Sequence, residues 1–258
     1  MKTHKIIFML AFVLMATTLQ AQDANEIIGE TVEALGGKKN FFNLKDVNYD
    51  LEYRAPKGAL TLVAHETYVF HKELSTSTYT EHTLLGKNGK VVEGYDGTNA
   101  WVTFDGKLSA DEQANGVARF LRKTNYYWFA MFFKLQGEGV NLVHTGSKTV
   151  NGKAYDMVKV TFGDNVGDGQ DTYVLYINKE TKLIDQFLFT VVGFGVTEPN
   201  LMQVEYETVD GIKIPSKRKY IESNWNGEIK GKEWTITNWT NIKFNTQVDK
   251  SMFNTPTE

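Results

Sequence analysis

The sequence predicts a mainly β protein, α+β by element count, built on a single curved antiparallel sheet that forms a half-open barrel. Three features of the 258 residues lead to this prediction: many short segments that alternate apolar and polar residues, Asn-Gly or Asp-Gly pairs between them, and one long helix with an apolar centre. These turn pairs tolerate the positive φ angles of tight hairpins, and strands joined by tight hairpins are antiparallel. We expect about 11 or 12 strands, an N-terminal helix and an inserted plug helix.

The first 21 residues have the layout of a cleavable secretory signal. Lys2 and Lys5 give a basic start, residues 6–16 form an apolar run, and the segment ends in the small residue Ala21. The run is too short to span a bilayer, which needs about 20 apolar residues. We expect residues 22–258 to be a single exported domain in the periplasm, with secretion as the alternative.

Composition excludes several classes of function. The chain has no cysteine, which removes disulfides, zinc fingers, iron–sulfur clusters, a cysteine nucleophile and a thiol-linked lipid anchor. Its formal net charge is −3, and loss of Lys2 and Lys5 with the signal makes the mature chain more acidic. No basic stripe is available for phosphate backbones, so we expect no nucleic-acid partner. Nor do we expect stable membrane insertion.

The first elements follow from local signals. Residues 23–35 predict a helix with Asp23 as its cap, ended by Gly36-Gly37. After Leu44 the period changes to two, and residues 47–54 alternate apolar and polar side chains as in a half-buried strand. Further strands are predicted at 59–70, 73–85, 90–95, 99–104, 140–149, 154–162, 171–177, 183–192, 201–209, 212–222 and 229–244.

A second helix interrupts the strands. Ser109 and Glu112 have the spacing of a capping box. The pair Asn115-Gly116 is unfavourable inside a helix, so we expect the helix to begin near Val117 and to run to residue 135. Residues 126–133 are apolar on every side, and a helix without a polar face must be covered on several sides. We place this helix inside or across the mouth of the sheet.

The usual catalytic and cofactor motifs are absent from the sequence. It contains no GxSxG, no Walker loop and no GxGxxG after a strand. His65-Glu66 begins like a zinc-protease motif, but Val69 takes the place of the second histidine. We therefore predict no catalytic residue and no cofactor, and a hydrolase that uses His65 or an aspartate loop is the least favoured function.

Two groups of side chains leave a metal site open as a minority interpretation. His65 and His71 are predicted to share a strand face, with His82 on a neighbouring strand. The loop 163–171 carries three aspartates, but its spacing does not match a calcium loop. Imidazoles on a solvated sheet face and polar hairpin turns are common, so we predict no metal.

The apolar helix indicates a ligand cavity. A curved sheet of this many strands encloses more volume than one helix fills, and an apolar cavity in an aqueous compartment binds an apolar ligand. The predicted lining residues lie on the helix and on three strands. They are Tyr126, Trp128, Phe129, Phe132, Phe133, Val158, Val160, Phe162, Leu175, Phe187 and Phe189.

Three segments resemble a known family. The first two are residues 150–158 and the segment 173–184 that follows them. The second contains the pattern Asn178-x-x-Thr181-x-Leu183, which is similar to a hairpin of the outer-membrane lipoprotein-sorting proteins, the LolA/LolB-like superfamily. Residues 209–215, Val-Asp-Gly-Ile-Lys-Ile-Pro, also resemble that group. The resemblance covers most of the mature chain and identifies it as an exported relative of that group.

The resemblance implies a half-open barrel wrapped around helices, with an apolar cavity that accepts acyl chains of lipoproteins or other lipids. It also implies an arginine near the cavity mouth that holds the closed state. Arg54, Arg119 and Arg122 are the candidates in this sequence.

We therefore expect a binding protein without catalysis, a carrier or sensor whose partner is a lipid or an acylated lipoprotein and whose role lies in outer-membrane biogenesis. Burial of an acyl chain contributes about 0.8 kcal/mol per CH₂ before the costs of binding. The alternative is a structural or regulatory interaction protein, in which side chains fill the barrel and the partner is an envelope membrane protein.

Overall fold

The computed structural model describes residues 24–86, 89–164, 166 and 169–256. Within these residues, thirteen strands form one antiparallel sheet in the order β6-β5-β4-β3-β2-β1-β13-β12-β11-β10-β9-β8-β7. The strands are β1 Asp46–Arg54, β2 Thr61–Val69, β3 Leu74–His82, β4 Val91–Tyr95, β5 Ala100–Phe104, β6 Lys107–Leu108, β7 Val140–Val150, β8 Lys153–Phe162, β9 Tyr173–Asn178, β10 Ile184–Val191, β11 Val196–Val209, β12 Ile212–Glu222 and β13 Thr235–Phe244. Strands β6 and β7 are the edges of this sheet.

The helices of the described residues are α1 (24–34), α2 (Lys38–Phe42) and α3 (Glu112–Lys134). The predicted fold class is confirmed: the protein is mainly β, on one open antiparallel sheet with an N-terminal and an inserted helix. The strand missing from the prediction is β6, which is two residues long. The signal segment 1–21 and the predicted cap Asp23 lie outside the described residues.

The chain divides into two compact units. The first comprises Met1–Leu35, Lys134–Gln203 and Glu222–Lys230, and the second comprises Gly36–Phe133, Val204–Ile221 and Gly231–Glu258. The organisation of residues 22–258 as a single domain stays a prediction.

The strand pattern of the sequence is reproduced in β1. Val47, Tyr49 and Leu51 are buried, while the polar residues between them lie on the more exposed face. The turns also match, because Asn151-Gly152 and Asp210-Gly211 both have two consecutive positive φ angles. Two positive φ angles are what a two-residue hairpin of the favoured hand requires. Alternation and turn chemistry together therefore set these hairpins.

Helix α3 begins earlier than the sequence predicted. It starts at Glu112 and runs through Asn115-Gly116. The cap is Asp111, whose Oδ1 accepts hydrogen bonds from the backbone N–H groups of Gln113 and Ala114 at 3.0 and 3.3 Å. The predicted start near Val117 and the Ser109–Glu112 capping box are therefore wrong. A carboxylate at the N-cap satisfies two amide groups and offsets the weak helix propensity of the following residues.

Candidate functional site

An aromatic cluster centred on Phe129 lies in the second unit. The cluster consists of Phe129 of α3 with Phe41, Tyr49, Phe70, Trp239 and Phe244. The ring centroid of Phe129 is 5.1 Å from those of Tyr49 and Trp239 and 6.2 Å from those of Phe70 and Phe244. All six rings are buried. The aromatic half of α3 is thus held against β1, β13 and α2 by apolar contacts.

The predicted lining residues of α3 all belong to the second unit. Tyr126, Phe129, Phe132 and Phe133 are buried, and Trp128 is half-buried. The ring of Phe133 stacks on Phe41 with centroids 4.0 Å apart. The structure therefore gives four of the five helical residues an interior position, in agreement with a helix that needs cover on several sides.

The predicted lining residues of the strands belong to the first unit. Val158, Leu175 and Phe187 are cross-strand neighbours on β8, β9 and β10, so they form one row on one face. Val160 and Phe189 both pair with Tyr173 and form the next row. These five residues are buried. Phe162 is half-buried, and its ring lies 6.0 Å from that of Tyr173. That the two groups of residues line one cavity stays a prediction.

A buried ionic network, which the sequence did not predict, holds α3 to the sheet. Arg122 of α3 donates two hydrogen bonds to Glu66 of β2, one of them 2.9 Å long from Nη2 to Oε1. Its Nε donates to Glu93 of β4 at 3.1 Å, and its Nη2 donates to the Tyr79 hydroxyl at 2.9 Å. All three charged side chains are fully buried. Burial of a charge is costly unless the charge is paired and hydrogen-bonded, as each of these three is.

The remaining oxygens of the network are also satisfied. Glu66 accepts hydrogen bonds from the Tyr68 hydroxyl at 2.7 Å and from Ser77 Oγ at 3.1 Å. Glu93 accepts one from the Tyr79 hydroxyl at 2.9 Å, and His82 Nε2 lies 3.3 Å from its second oxygen. Burial is the largest single influence and opposes the charged form of Arg122, but Glu66, Tyr79 and Tyr68 together outweigh burial and raise the pKa of Arg122 above its ordinary value.

The three arginines proposed for the cavity mouth have different environments. Arg122 is buried in the network just described. Arg54 is exposed and contacts Glu81 through two nitrogens at 3.1 and 2.8 Å, and Arg119 is exposed on α3. Arg122 is therefore the one of the three that joins the helix to the sheet.

Arg218 is a second buried arginine, and it has no carboxylate partner among the described residues. Its Cζ lies 3.5 Å from the ring centroid of Trp239 and 5.8 Å from that of Trp128. Nη2 donates to Thr237 Oγ1 at 3.3 Å, whereas the buried Nε has no hydrogen-bond partner. Burial lowers the pKa of Arg218 to about 9, which leaves the side chain charged at neutral pH.

The histidines do not form the arrangement that the sequence predicted. His71 lies in a 3-10 turn, Phe70–Lys72, and not on β2, because β2 ends at Val69; the shared face with His65 is therefore wrong. His65 Nδ1 contacts Asp50 at 2.8 Å, and His82 belongs to the network. Over the described part of the chain, no group of three or more His, Asp or Glu side chains is placed to hold a metal ion.

The aspartate loop lies only partly within the described residues, since Asp168 is outside them. Asp171 accepts hydrogen bonds from Thr190 Oγ1 at 3.1 Å and from the Val192 amide at 2.7 Å, which joins the loop to the end of β10. As far as the helices are described, none is long and apolar enough to cross a membrane.

Comparison with solved structures places the fold. The chain is similar to a LolA superfamily protein from Nitrosomonas europaea, with 13% identity, a TM-score of 0.54 and coverage of 90% of this chain and 97% of that one. It is also similar to a domain assigned to outer membrane lipoprotein sorting from Vibrio parahaemolyticus, with 10% identity, a TM-score of 0.54 and coverage of 91% and 97%. A DUF1329 family protein from Desulfovibrio piger gives 13% identity, a TM-score of 0.53 and coverage of 90% and 97%.

At these identities the comparison shows the fold alone. The predicted resemblance to the LolA/LolB-like superfamily is thereby confirmed at the level of the fold. No curated protein matches the sequence. A family model described as a family of unknown function, DUF6503, matches residues 3–198. The chain therefore belongs to the DUF6503 family and has a LolA-like fold.

Proposed function

We propose that this protein is an exported carrier or sensor that binds lipid or lipoprotein acyl chains and performs no catalysis. The observation that carries the proposal is the aromatic cluster around Phe129, in which an apolar helix packs on a sheet of the LolA-like fold. The partner is a lipid or an acylated lipoprotein, and the role belongs to outer-membrane biogenesis in the periplasm.

The contacts of α3 suggest how it would admit a ligand. Arg122 joins the middle of the helix to β2 and β4 through buried ion pairs, which are costly to break. The following residues, from Phe129 to Phe133, contact their surroundings mainly through rings. An acyl chain can replace ring contacts with similar apolar contacts, and each buried CH₂ contributes about 0.8 kcal/mol. We therefore assign ligand entry to the aromatic half of α3, and we assign to Arg122 the role of the fixed point, the residue that keeps the helix attached to the sheet while the aromatic half moves.

The test is lipid uptake by a charged variant at the centre of the cluster. Phe129→Asp places a carboxylate among the five remaining buried rings, and an unpaired charge there disfavours both the cluster and an acyl chain beside it. Phe194→Asp is the matched control, because Phe194 is 59% exposed. We expect Phe194→Asp to take up a fluorescent C16 fatty acid like the wild-type protein, and Phe129→Asp to lose uptake. A folded Phe129→Asp protein with normal uptake would contradict the proposal.

A second candidate function is supported by an exposed apolar turn in the first unit. Between β10 and β11, Val192 and Val196 are 42% and 37% exposed beside Phe194. Exposed apolar residues that lie together mark interaction surfaces more often than scattered ones do. This turn would suit an envelope protein partner of a regulatory interaction protein. Absence of lipid uptake by the folded wild-type protein would favour this second function.

A further inference from the structure

A row of polar side chains crosses the buried face of the second unit beside the aromatic cluster. Arg218 of β12 pairs with Thr237 of β13, and Thr237 pairs with Tyr53 of β1. Tyr220, two residues after Arg218, is hydrogen-bonded through its hydroxyl to the hydroxyl of Tyr53. On the same face of β12, the earlier positions Ile212 and Ile214 are apolar and buried. The buried face thus changes from apolar to polar after Ile214, with Ser216 and Arg218 as its buried polar residues.

The side chain of Arg218 is unusual for a buried charge. It is only 6% exposed, yet no ion pair joins it to any described carboxylate, in contrast to Arg122, which has two. An unpaired buried charge loses its hydration without a compensating partner, and this costs several kcal/mol. The sequence pattern explains its position, since alternation along β12 turns Arg218 inward and leaves Lys217 and Lys219 exposed.

The contacts that Arg218 does make leave its hydrogen-bonding edge available. The face of the guanidinium lies on the Trp239 ring at 3.5 Å, which is a cation–π contact. A guanidinium also has five N–H donors in its plane, and one of them donates to Thr237 while Nε has no partner. The stack on Trp239 occupies the face of the guanidinium but gives no hydrogen-bond acceptor to the N–H donors at its edge. The chemistry that fits such an edge is a planar or tetrahedral oxyanion, a carboxylate or a phosphate.

We propose that Arg218 binds the anionic head group of the lipid whose chain lies against the Phe129 cluster. Trp239 connects the two parts, because its ring contacts Arg218 on one side and lies 5.1 Å from Phe129 within the cluster. The hydroxyl of Thr237, which accepts from Arg218, is a further donor for a bound oxyanion. This inference rests on the proposed function and narrows its ligand class to acidic lipids.

The experiment compares ligands of equal chain length in the delipidated mature protein. Binding of palmitate, hexadecanol and 16:0 lysophosphatidic acid is measured by isothermal titration calorimetry. We expect the wild-type protein to prefer the two anionic lipids over hexadecanol. Arg218→Met should weaken binding of the anionic lipids about 10-fold to 100-fold, as expected for loss of a charge-assisted hydrogen bond, and should leave hexadecanol binding unchanged. Lys217→Met, an exposed neighbour on the same strand, is the matched control and should behave like the wild type.

A stability measurement separates head-group binding from a structural role. Because Arg218 lacks a carboxylate partner, we expect apo Arg218→Met to melt at the same temperature as the wild-type protein or higher. If this variant does not fold, Arg218→Lys, which keeps the charge and loses the planar fork, replaces it. A lowered melting temperature combined with an unchanged preference for anionic lipids would overturn the proposal.

The remaining outcomes distinguish this inference from the function on which it rests. Equal binding of palmitate and hexadecanol by the wild-type protein would overturn the Arg218 assignment and leave the carrier function intact. Binding of none of the three lipids would overturn both. Inorganic phosphate bound as tightly as lysophosphatidic acid would show a site for free anions and would overturn the assignment to a lipid head group.

Discussion

Replacement of Arg122 by methionine should strongly destabilise the second unit. The guanidinium makes four hydrogen bonds, two to Glu66 and one each to Glu93 and the Tyr79 hydroxyl. Methionine fills a similar volume but leaves two buried carboxylates with neutral hydroxyl and amide donors and an imidazole as their remaining neighbours. Removal of one partner from a buried ion pair costs about 3–5 kcal/mol. We expect a loss of free energy of unfolding of this size.

The assay is urea unfolding followed by tryptophan fluorescence. With a slope of about 1–3 kcal/mol per molar urea, the expected loss lowers the midpoint by about 1 M or more. Arg54→Met is the matched control, because Arg54 makes a similar two-nitrogen contact with Glu81 at the surface. Exposed ion pairs contribute little, so its midpoint should not change measurably.

A double variant tests whether uncompensated charge is the cause. Arg122→Met combined with Glu66→Gln removes one of the two stranded charges, so it should be more stable than Arg122→Met alone. Equal midpoints for Arg122→Met and the wild type would refute the assignment of Arg122 as the fixed point of α3. A double variant that loses the sum of the two single losses would refute the charge argument.

Two further predictions concern a backbone position and the buried hydroxyls. Gly36→Ala should lower the free energy of unfolding by more than about 1 kcal/mol, because Gly36 has a φ of 117° and a Cβ there would lie 2.6 Å from the Gly211 carbonyl oxygen. Gly116 occupies an open, exposed helical position, so Gly116→Ala should raise the free energy of unfolding by about 0.5–1 kcal/mol. Thermal unfolding measures both variants, and equal effects would contradict the steric argument. Burial raises the pKa of Tyr49, Tyr68 and Tyr79 above the ordinary value of 10.0, so the stability that they contribute is complete below about pH 10 and falls as the unfolded tyrosines ionise above it; part of the rise in absorbance at 295 nm should therefore coincide with cooperative unfolding, and ionisation of all twelve tyrosines before unfolding would contradict this.

The sheet could be predicted from the sequence because its signals are local. Alternation in 47–54 and the Asn151-Gly152 turn each depend on neighbouring residues, and both are found in the structure. Strand β6 has two residues, which is too short for a period to appear. The predicted start of α3 is wrong because the Asp111 carboxylate caps two amides and stabilises a helix that continues through the unfavourable pair Asn115-Gly116.

The charged part of the site depends on partners that are distant in sequence. Glu66 follows Leu62 and Ala64 at a period of two, so the sequence pattern predicts that its side chain points inward. Its partner Arg122 is 56 residues away, and no local pattern predicts that contact. Arg218 stands between Lys217 and Lys219, and such a run resembles a solvated basic segment. Only the pairing of β12 with β13 places it on the ring of Trp239.

The measurement that tests the central claim most directly is native mass spectrometry of the mature protein, purified from the periplasm without detergent and combined with lipid extraction. Our account predicts a stoichiometric adduct of lipid mass, with an acidic head group in the extract. A mass without an adduct, which persists after incubation with fatty acid, phospholipid and acylated peptide, would contradict the account.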